Sequence, residues 1–201
     1  LLLLAGATAR AQELRLVCSI PVAADAFTTD EIGNVYVLQG DELQLYRPPC
    51  EAWMRNSVKT LGRIGSVDAF YSLKPLVHAP DQGQIAVLDN TLSVQGDVIN
   101  LPAKGWPQVT LVCASAQNAM WFFDQRELAV VRVDATLRAI TNSGRLDQLL
   151  DFAPEPIGML EFDNRLYLND AREGLLVFDL FGTYVRTIPL LGVRHFEVRT
   201  G

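Results

Sequence analysis

One arrangement of polar and apolar residues recurs four times along the chain: a polar turn, about four apolar residues, a second polar turn, then an apolar–polar alternation. It opens with Asp30-Glu31-Ile32-Gly33-Asn34 leading into Val35-Tyr36-Val37-Leu38. It returns as Asp81-Gln82-Gly83-Gln84 before Ile85-Ala86-Val87-Leu88, as Gln117-Asn118 before Ala119-Met120-Trp121-Phe122-Phe123, and as Asp163-Asn164 before Arg165-Leu166-Tyr167-Leu168. The anchors Val35, Ile85, Met120 and Leu166 lie 50, 35 and 46 residues apart. Short strands repeating at about 40–50 residues mark propeller blades, which bury their faces only by stacking around an axis.

Strands are read where β-branched and aromatic residues run between Gly, Pro, Asn and Asp punctuation. This predicts an outer strand over 14–20, then a first blade of 26–29, 35–38, 42–46 and 58–64. The second blade is 69–73 (running on toward Val77), 84–88, 92–95 and 97–101. The third is 108–114, 119–123, 128–133 and 137–141, and the fourth is 157–162, 165–168, 175–179 and 185–189. A last inner strand spans 195–199. The one helical pattern, over 144–152, has Leu146, Leu149 and Leu150 at i, i+3 and i+4, with Ser143 as its cap. The fold class is all-β: a propeller of four-stranded antiparallel blades at about 26–64, 69–101, 108–141 and 157–189. An orphan outer strand at one end and an orphan inner strand at the other suit a ring closed by both termini. Six blades at this period need about 260 residues, so the expectation is part of a six-bladed ring.

The form D-x-x-G-N-V-Y-V at Asp30 to Val37, followed by L-x-x-Y at Leu43 to Tyr46, resembles the blades of NHL/TolB-like six-bladed propellers. Repeats two to four share only the pattern, and the resemblance spans about residues 13–199. The Trp-Asp dipeptide of WD40 blades, a Tyr-Trp-Thr-Asp motif and the sialidase box are absent from the sequence. The resemblance implies a disc with ligands or partners at one face, and no particular reaction.

At 201 residues, 49% hydrophobic and 20% charged, the chain can bury a good-sized core. Its formal net charge of -6, with scattered Lys and Arg and no basic run, argues against nucleic acid as a partner. No run of about 20 apolar residues is present to span a bilayer. Residues 1–11, four leucines followed by small residues with Ala9 and Ala11 at a small-x-small spacing, read as the end of a signal peptide cleaved before Gln12. The domain proper is then 12–201, exported to a periplasmic, cell-surface or extracellular location. Cys18 and Cys113, in apolar runs, are expected in the core; export also permits a bridge such as Cys18–Cys50, with one thiol left over.

Each second turn carries an acid: Asp41, Asp89, Asp124 and Asp170. With strands lettered a to d from the axis outward, the b–c turns and d–a connections share one face. These acids are then either a ring for a divalent cation or simply good turn residues that bond their own backbone. The d–a connections lie nearer the axis and supply the candidate binding residues Asp25, Asp68, Trp106, Asp151, Arg194 and His195. Trp106, held between Gly105 and Pro107, offers contact area at low entropy cost. The alternative for Trp106 is blade packing. His78 is placed in an a–b turn and His195 at the channel mouth. Neither belongs to a nucleophile–base arrangement, and Asp151 with Glu155 resembles solvated charge. The leading expectation is a non-catalytic exported propeller that binds a protein or envelope partner by one loop-rich face. Alternatives are a metal-dependent hydrolase or lactonase, with carboxylates, Asn or His converging on an ion at the axis, and a structural member of an envelope assembly.

Overall fold

A computed structural model describes residues 15–57 and 59–198. Sixteen strands within them form four sheets, each a meander of four consecutive antiparallel strands. Blade one holds β1 (Ala26–Thr29), β2 (Val35–Gln39), β3 (Glu42–Arg47) and β4 (Glu51–Ser57). Blade two holds β5 (Ser66–Asp68), β6 (Leu76–Ala79), β7 (Gln84–Leu88) and β8 (Val94–Asn100). Blade three holds β9 (Val109–Ser115), β10 (Ala119–Asp124), β11 (Ala129–Val133) and β12 (Ala139–Asn142). Blade four holds β13 (Pro156–Phe162), β14 (Arg165–Asp170), β15 (Gly174–Asp179) and β16 (Tyr184–Ile188). The blades stand around one axis as a four-bladed propeller, with the first strand of each innermost. Helix is confined to α1 (Leu146–Leu150) and four three-residue 3-10 turns among the described residues.

The middle strands of a blade are covered on both faces by neighbouring blades, so their apolar runs are continuous rather than alternating. β10 and β11 are buried along their whole length, whereas the outer strand β4 is mostly exposed. Alternate residues of β10 serve opposite seams, as the period of two requires. Met120 and Phe122 pack with Leu76, Ile85 and Leu101 of blade two, while Trp121 and Phe123 pack with Leu166, Leu168 and Phe178 of blade four. A third seam joins Tyr36, Leu43 and Leu45 to Val77, Ala86 and Leu88 across blades one and two. Truncating one such leucine to Ala costs about 2–5 kcal/mol. Blade four meets blade one through the chain that follows β16. There Thr29 Oγ1 donates to the Glu197 carboxylate at 3.0 and 3.2 Å, and Asn169 Nδ2 holds the Val193 carbonyl at 2.8 Å.

Blades three and four lie within two residues of the expected strands. In blade one the outer strand is 51–57 rather than 58–64. The c–d turn is only Pro48-Pro49-Cys50, and β4 begins directly after it. Blade two is displaced by a whole strand. Residues 84–88 form the third strand, not the second, and 92–95 with 97–101 merge into β8, bent at Gly96 with φ +74°. The second strand is Leu-Val-His-Ala at 76–79, buried throughout and too short to stand out by length. With the phase restored, the second strands open at Val35, Leu76, Ala119 and Arg165, a far more even spacing.

The expected outer strand 14–20 does not form: residues 15–20 carry no strand, and Leu14 lies outside the described residues. Leu16 and Val17 are exposed, and Cys18 bonds Cys50 in the c–d turn of blade one, so this segment is tied to a turn rather than laid along a sheet edge. Cys18 is thus not a core residue, whereas Cys113 is a buried free thiol. Residues 195–198 also form no strand, since the contacts of Asn169 and Thr29 lead the chain across the gap between blades four and one; Arg199 is outside the described residues. The segment 1–11 read as a signal peptide lies outside them too. Helix α1 is shorter than 144–152. Ser143 does not cap it; its hydroxyl accepts the Val130 amide and donates to the Gly144 carbonyl instead.

Candidate axial site

The inner strands β1, β5, β9 and β13 and the segment 194–198 enclose a cavity of about 450 Å³ on the axis. Its wall is largely apolar. Phe27, Ile157, Met159 and Leu160 come from inner strands, Phe162 from the end of one, and Phe196 from the C-terminal segment. Phe27 and Ile157 are respectively 63% and 49% exposed because their side chains face this space rather than a seam. Phe70 of blade two meets Phe162 of blade four edge-to-face, ring centres 5.8 Å apart.

Three carboxylates line the cavity: Asp68 and Glu161 from inner strands, and Glu197 from the C-terminal segment, which accepts the Thr29 hydroxyl. Asp68 closes β5 and accepts the Phe70 amide at 3.1 Å and, across the seam, the Ala114 amide at 2.8 Å. Burial raises its carboxyl above the ordinary aspartate value, and the Glu161 charge adds to this, while the two amides pull the other way. Glu161 lies one residue from the end of β13 and reaches into blade three. It accepts the Ser115 hydroxyl at 2.5 Å, the Ala116 amide at 3.0 Å and the Trp121 indole N–H at 2.6 Å. Buried Arg132 donates to the same Ser115 hydroxyl at 2.7 Å and to the Ala116 carbonyl at 2.8 Å. An Arg132–Ser115–Glu161 chain therefore balances the charge buried between blades three and four.

Of the six candidate residues, Asp68, Arg194 and His195 line the cavity. Asp68 arrives there as the end of an inner strand at the a–b side, not in a d–a connection as expected. Asp25, Trp106 and Asp151 lie elsewhere. Asp25 accepts the Gly40 amide of the adjacent b–c turn at 2.8 Å. Trp106 packs edge-to-face on Phe122 and donates its indole N–H to the Leu137 carbonyl, which is blade packing. Asp151 ends α1 in the left-handed region at φ 61° and is exposed.

The ring of turn acids resolves into turn chemistry. Asp124 takes the amides of Arg126 and Glu127, Asp170 those of Arg172, Glu173 and Glu155, and Asp41 the Ser57 hydroxyl. Asp89 sits in a c–d turn on the opposite face, because blade two is shifted. There it matches Asp134 and Asp179: each accepts amides two and four residues on, with the residue three on at positive φ. His78 is not in a turn but in β6, buried, with Nε2 lacking a hydrogen-bond partner among the described residues. Burial drives its pKa down to about 4. Sequence reading missed Glu161 and Arg132. Their one signal is a charge inside an apolar run, Met-Leu-Glu-Phe at 159–162 and Val-Val-Arg-Val at 130–133.

Fold and cavity together define a β-propeller. No family model and no curated protein matches the chain. Solved structures do. Virginiamycin B lyase from Staphylococcus aureus is similar at 13% identity and TM-score 0.58, over 84% of this chain and 56% of that one. The Neurospora crassa Pan2 WD40 domain is similar at 6% identity and TM-score 0.57, over 83% and 49%. BBS1N, solved in complex with ARL6DN, is similar at 12% identity and TM-score 0.52, over 82% and 52%. The chain spans about half the length of the structures it matches. At these identities the likeness carries the propeller architecture alone; kinship with NHL/TolB-like propellers and a six-blade count rest on sequence pattern.

Proposed function

We propose that the chain belongs to an exported, non-catalytic binding propeller that receives a group of its partner or ligand in the axial cavity. The observation that carries this reading is the division of labour in the wall. Its Asp68, Glu161 and Glu197 carboxylates hold amides, an indole and a hydroxyl between blades, while its aromatic and aliphatic side chains face open space of ligand size. Acids committed to bracing blades are poorly placed for proton transfer, whereas an apolar wall with a few fixed polar groups suits binding. Export is supported by the Cys18–Cys50 bond, since disulfides persist in oxidising compartments. The lactonase-type reading needs ligands converging on an ion, and among the described residues no three His, Cys, Asp or Glu side chains do.

Gly158 provides the test. It lines the cavity, and a Cβ there would meet only Asn169 and Phe196 at 3.9 Å, so the fold accepts a side chain that projects toward Phe196. Titrated with the neutral dye Nile red, the wild-type chain should bind one dye with saturable fluorescence. Gly158→Leu should weaken this at least tenfold at an unchanged melting temperature. Equal dye binding by the two proteins would remove the cavity from the function.

A further inference from the structure

A second recess lies on the opposite side of the seam between blades one and two, on the face made by the a–b and c–d turns. It is about 390 Å³ and is lined by Ile32, Leu73, Arg47, Pro48 and three small polar residues, over a floor of Tyr36 and Leu45. The floor is fixed. Tyr36 and Leu45 are buried seam residues, and the Tyr36 hydroxyl donates to Asp30 at 3.3 Å. The walls are fixed as well. Asp30 gathers the amides of Ile32 and Asn34 at 3.0 and 2.8 Å, which sets the turn that carries Ile32. Glu31 reaches across to blade two and accepts both the amide and the hydroxyl of Ser72 at 2.9 Å, which sets the turn that carries Leu73.

Upon this braced frame stand two side chains that the fold does not bury, Ile32 at 65% and Leu73 at 66% exposed. Neither supports a seam, and together they flank one recess. The polar lining is Asn34, Ser72 and Asn90. Asn34 donates to Asp30 at 2.6 Å and Ser72 to Glu31, so their oxygens remain as acceptors, while exposed Asn90 can both donate to and accept from a peptide backbone. The one charged lining residue is Arg47, its guanidinium carbon 3.4 Å from the centre of the Trp53 ring. Stacking on an aromatic orients a guanidinium while leaving its N–H edge free to meet a carboxylate. The sign is informative because the chain as a whole is acidic, at -6.

We infer that this recess docks an extended segment of a partner protein that places an aliphatic side chain between Ile32 and Leu73 and a carboxylate against Arg47. The apolar pair supplies burial, exposed Asn90 meets the incoming backbone, and Arg47 selects acidic over basic segments. This site shares only Tyr36 with the lining of the axial cavity and does not depend on a ligand there.

Two fluorescein-labelled hexapeptide pools test it by anisotropy on the whole chain: one pairs a leucine with two glutamates, the other the same leucine with two lysines. The acidic pool should bind at least tenfold more tightly, and should weaken several-fold between about 50 and 500 mM NaCl as screening grows. Arg47→Glu should reverse the preference, and Arg47→Lys should keep it. Leu73→Asp should cost at least tenfold while the urea midpoint stays unchanged, since Leu73 supports no seam. Gly158→Leu should bind the acidic pool as wild type does, which separates failure here from failure of the axial reading. Equal binding of the two pools, or indifference to Arg47→Glu, would overturn the inference. So would a Leu73-dependent dimer in sedimentation, which would make a second copy the occupant.

Discussion

His78 gives the sharpest prediction, because its burial converts directly into a pH dependence of stability. The side chain lies in a strand buried on every residue, opposite Ser66 on one neighbour and Ile85 on the other. Its Nε2 has no partner among the described residues, and burial lowers its pKa to about 4 from an ordinary 6.5. The folded chain therefore keeps the imidazole neutral where the unfolded chain takes a proton. Stability is full above about pH 6.5, declines as pH falls, and levels off near pH 4. At about 1.4 kcal/mol per pH unit the whole step is about 3 kcal/mol, of which about 2 kcal/mol is lost by pH 5. Asp68 works in the opposite sense, since a raised carboxyl pKa favours the folded state as pH falls through it. Wild type alone therefore does not isolate the histidine.

The comparison with His78→Leu does isolate it. Leucine has similar bulk and removes the unpaired nitrogen, so at pH 7.5 the variant should equal or exceed wild type by up to about 1 kcal/mol. Urea unfolding of both proteins from pH 7.5 to 4 should then show the gap widening in the variant's favour by about 2 kcal/mol at pH 5. NMR adds a direct check, because the chain has only two histidines and one of them, His195, is exposed. Parallel stability curves, or a His78 titration near 6.5, would refute the reasoning.

Four further outcomes follow from the packing and bracing of the blades. Glu161→Ala strands the Trp121 indole, the Ala116 amide and buried Arg132 together, and should cost about 3 kcal/mol or more in urea unfolding; a loss under 1 kcal/mol would mean the chain of bonds across blades three and four is not formed. Gly174→Ala should destabilise by over about 2 kcal/mol, because φ is +101° and a Cβ would collide with the Ile188 carbonyl. Reducing the Cys18–Cys50 bond, which closes a loop of 32 residues, should cost about 3–4 kcal/mol. Cys113, buried and with its thiol pushed well up by that burial, should resist iodoacetamide until the chain unfolds, as mass spectrometry of native and urea-treated protein can show.

Blades three and four were legible almost to the residue because their strands are long and their turns are polar. Trp121, Phe122 and Phe123 in sequence allow no other element at that length. Blade two departs from its sequence pattern for a local reason. Its inner strand is three residues, its second strand four, and the apolar stretch 69–77 is interrupted by a turn at 71–74 that carries no Gly or Asn. The signal that would have corrected it lay in the turns. Asp-Asn-Thr-Leu-Ser at 89–93 and Asp-Ala-Thr-Leu-Arg at 134–138 are the same c–d turn, and aligning them fixes the blade phase.

The axial site was legible only in part, and the reason is geometric. The chain positions of Asp25 and Trp106 point to the axis, but their partners are local or in the adjacent seam, so their side chains are consumed before they reach it. Glu161 and Arg132 bond residues 40 to 46 and 16 to 17 positions away, and no spacing rule connects them. A common logic underlies them even so. At three places an acid within two residues of the end of an inner strand reaches to the adjoining blade: Glu31 to Ser72, Asp68 to Ala114, Glu161 to Ala116. Each satisfies an amide that a seam would otherwise leave buried without a partner, which costs about 1–3 kcal/mol. The a–b end of the propeller is thereby clamped by charge, while Ile32 and Leu73 on that face stay exposed and the axis keeps its apolar wall. A face braced in this way holds its exposed side chains in fixed positions before a partner arrives, so the ordering cost of binding there is small.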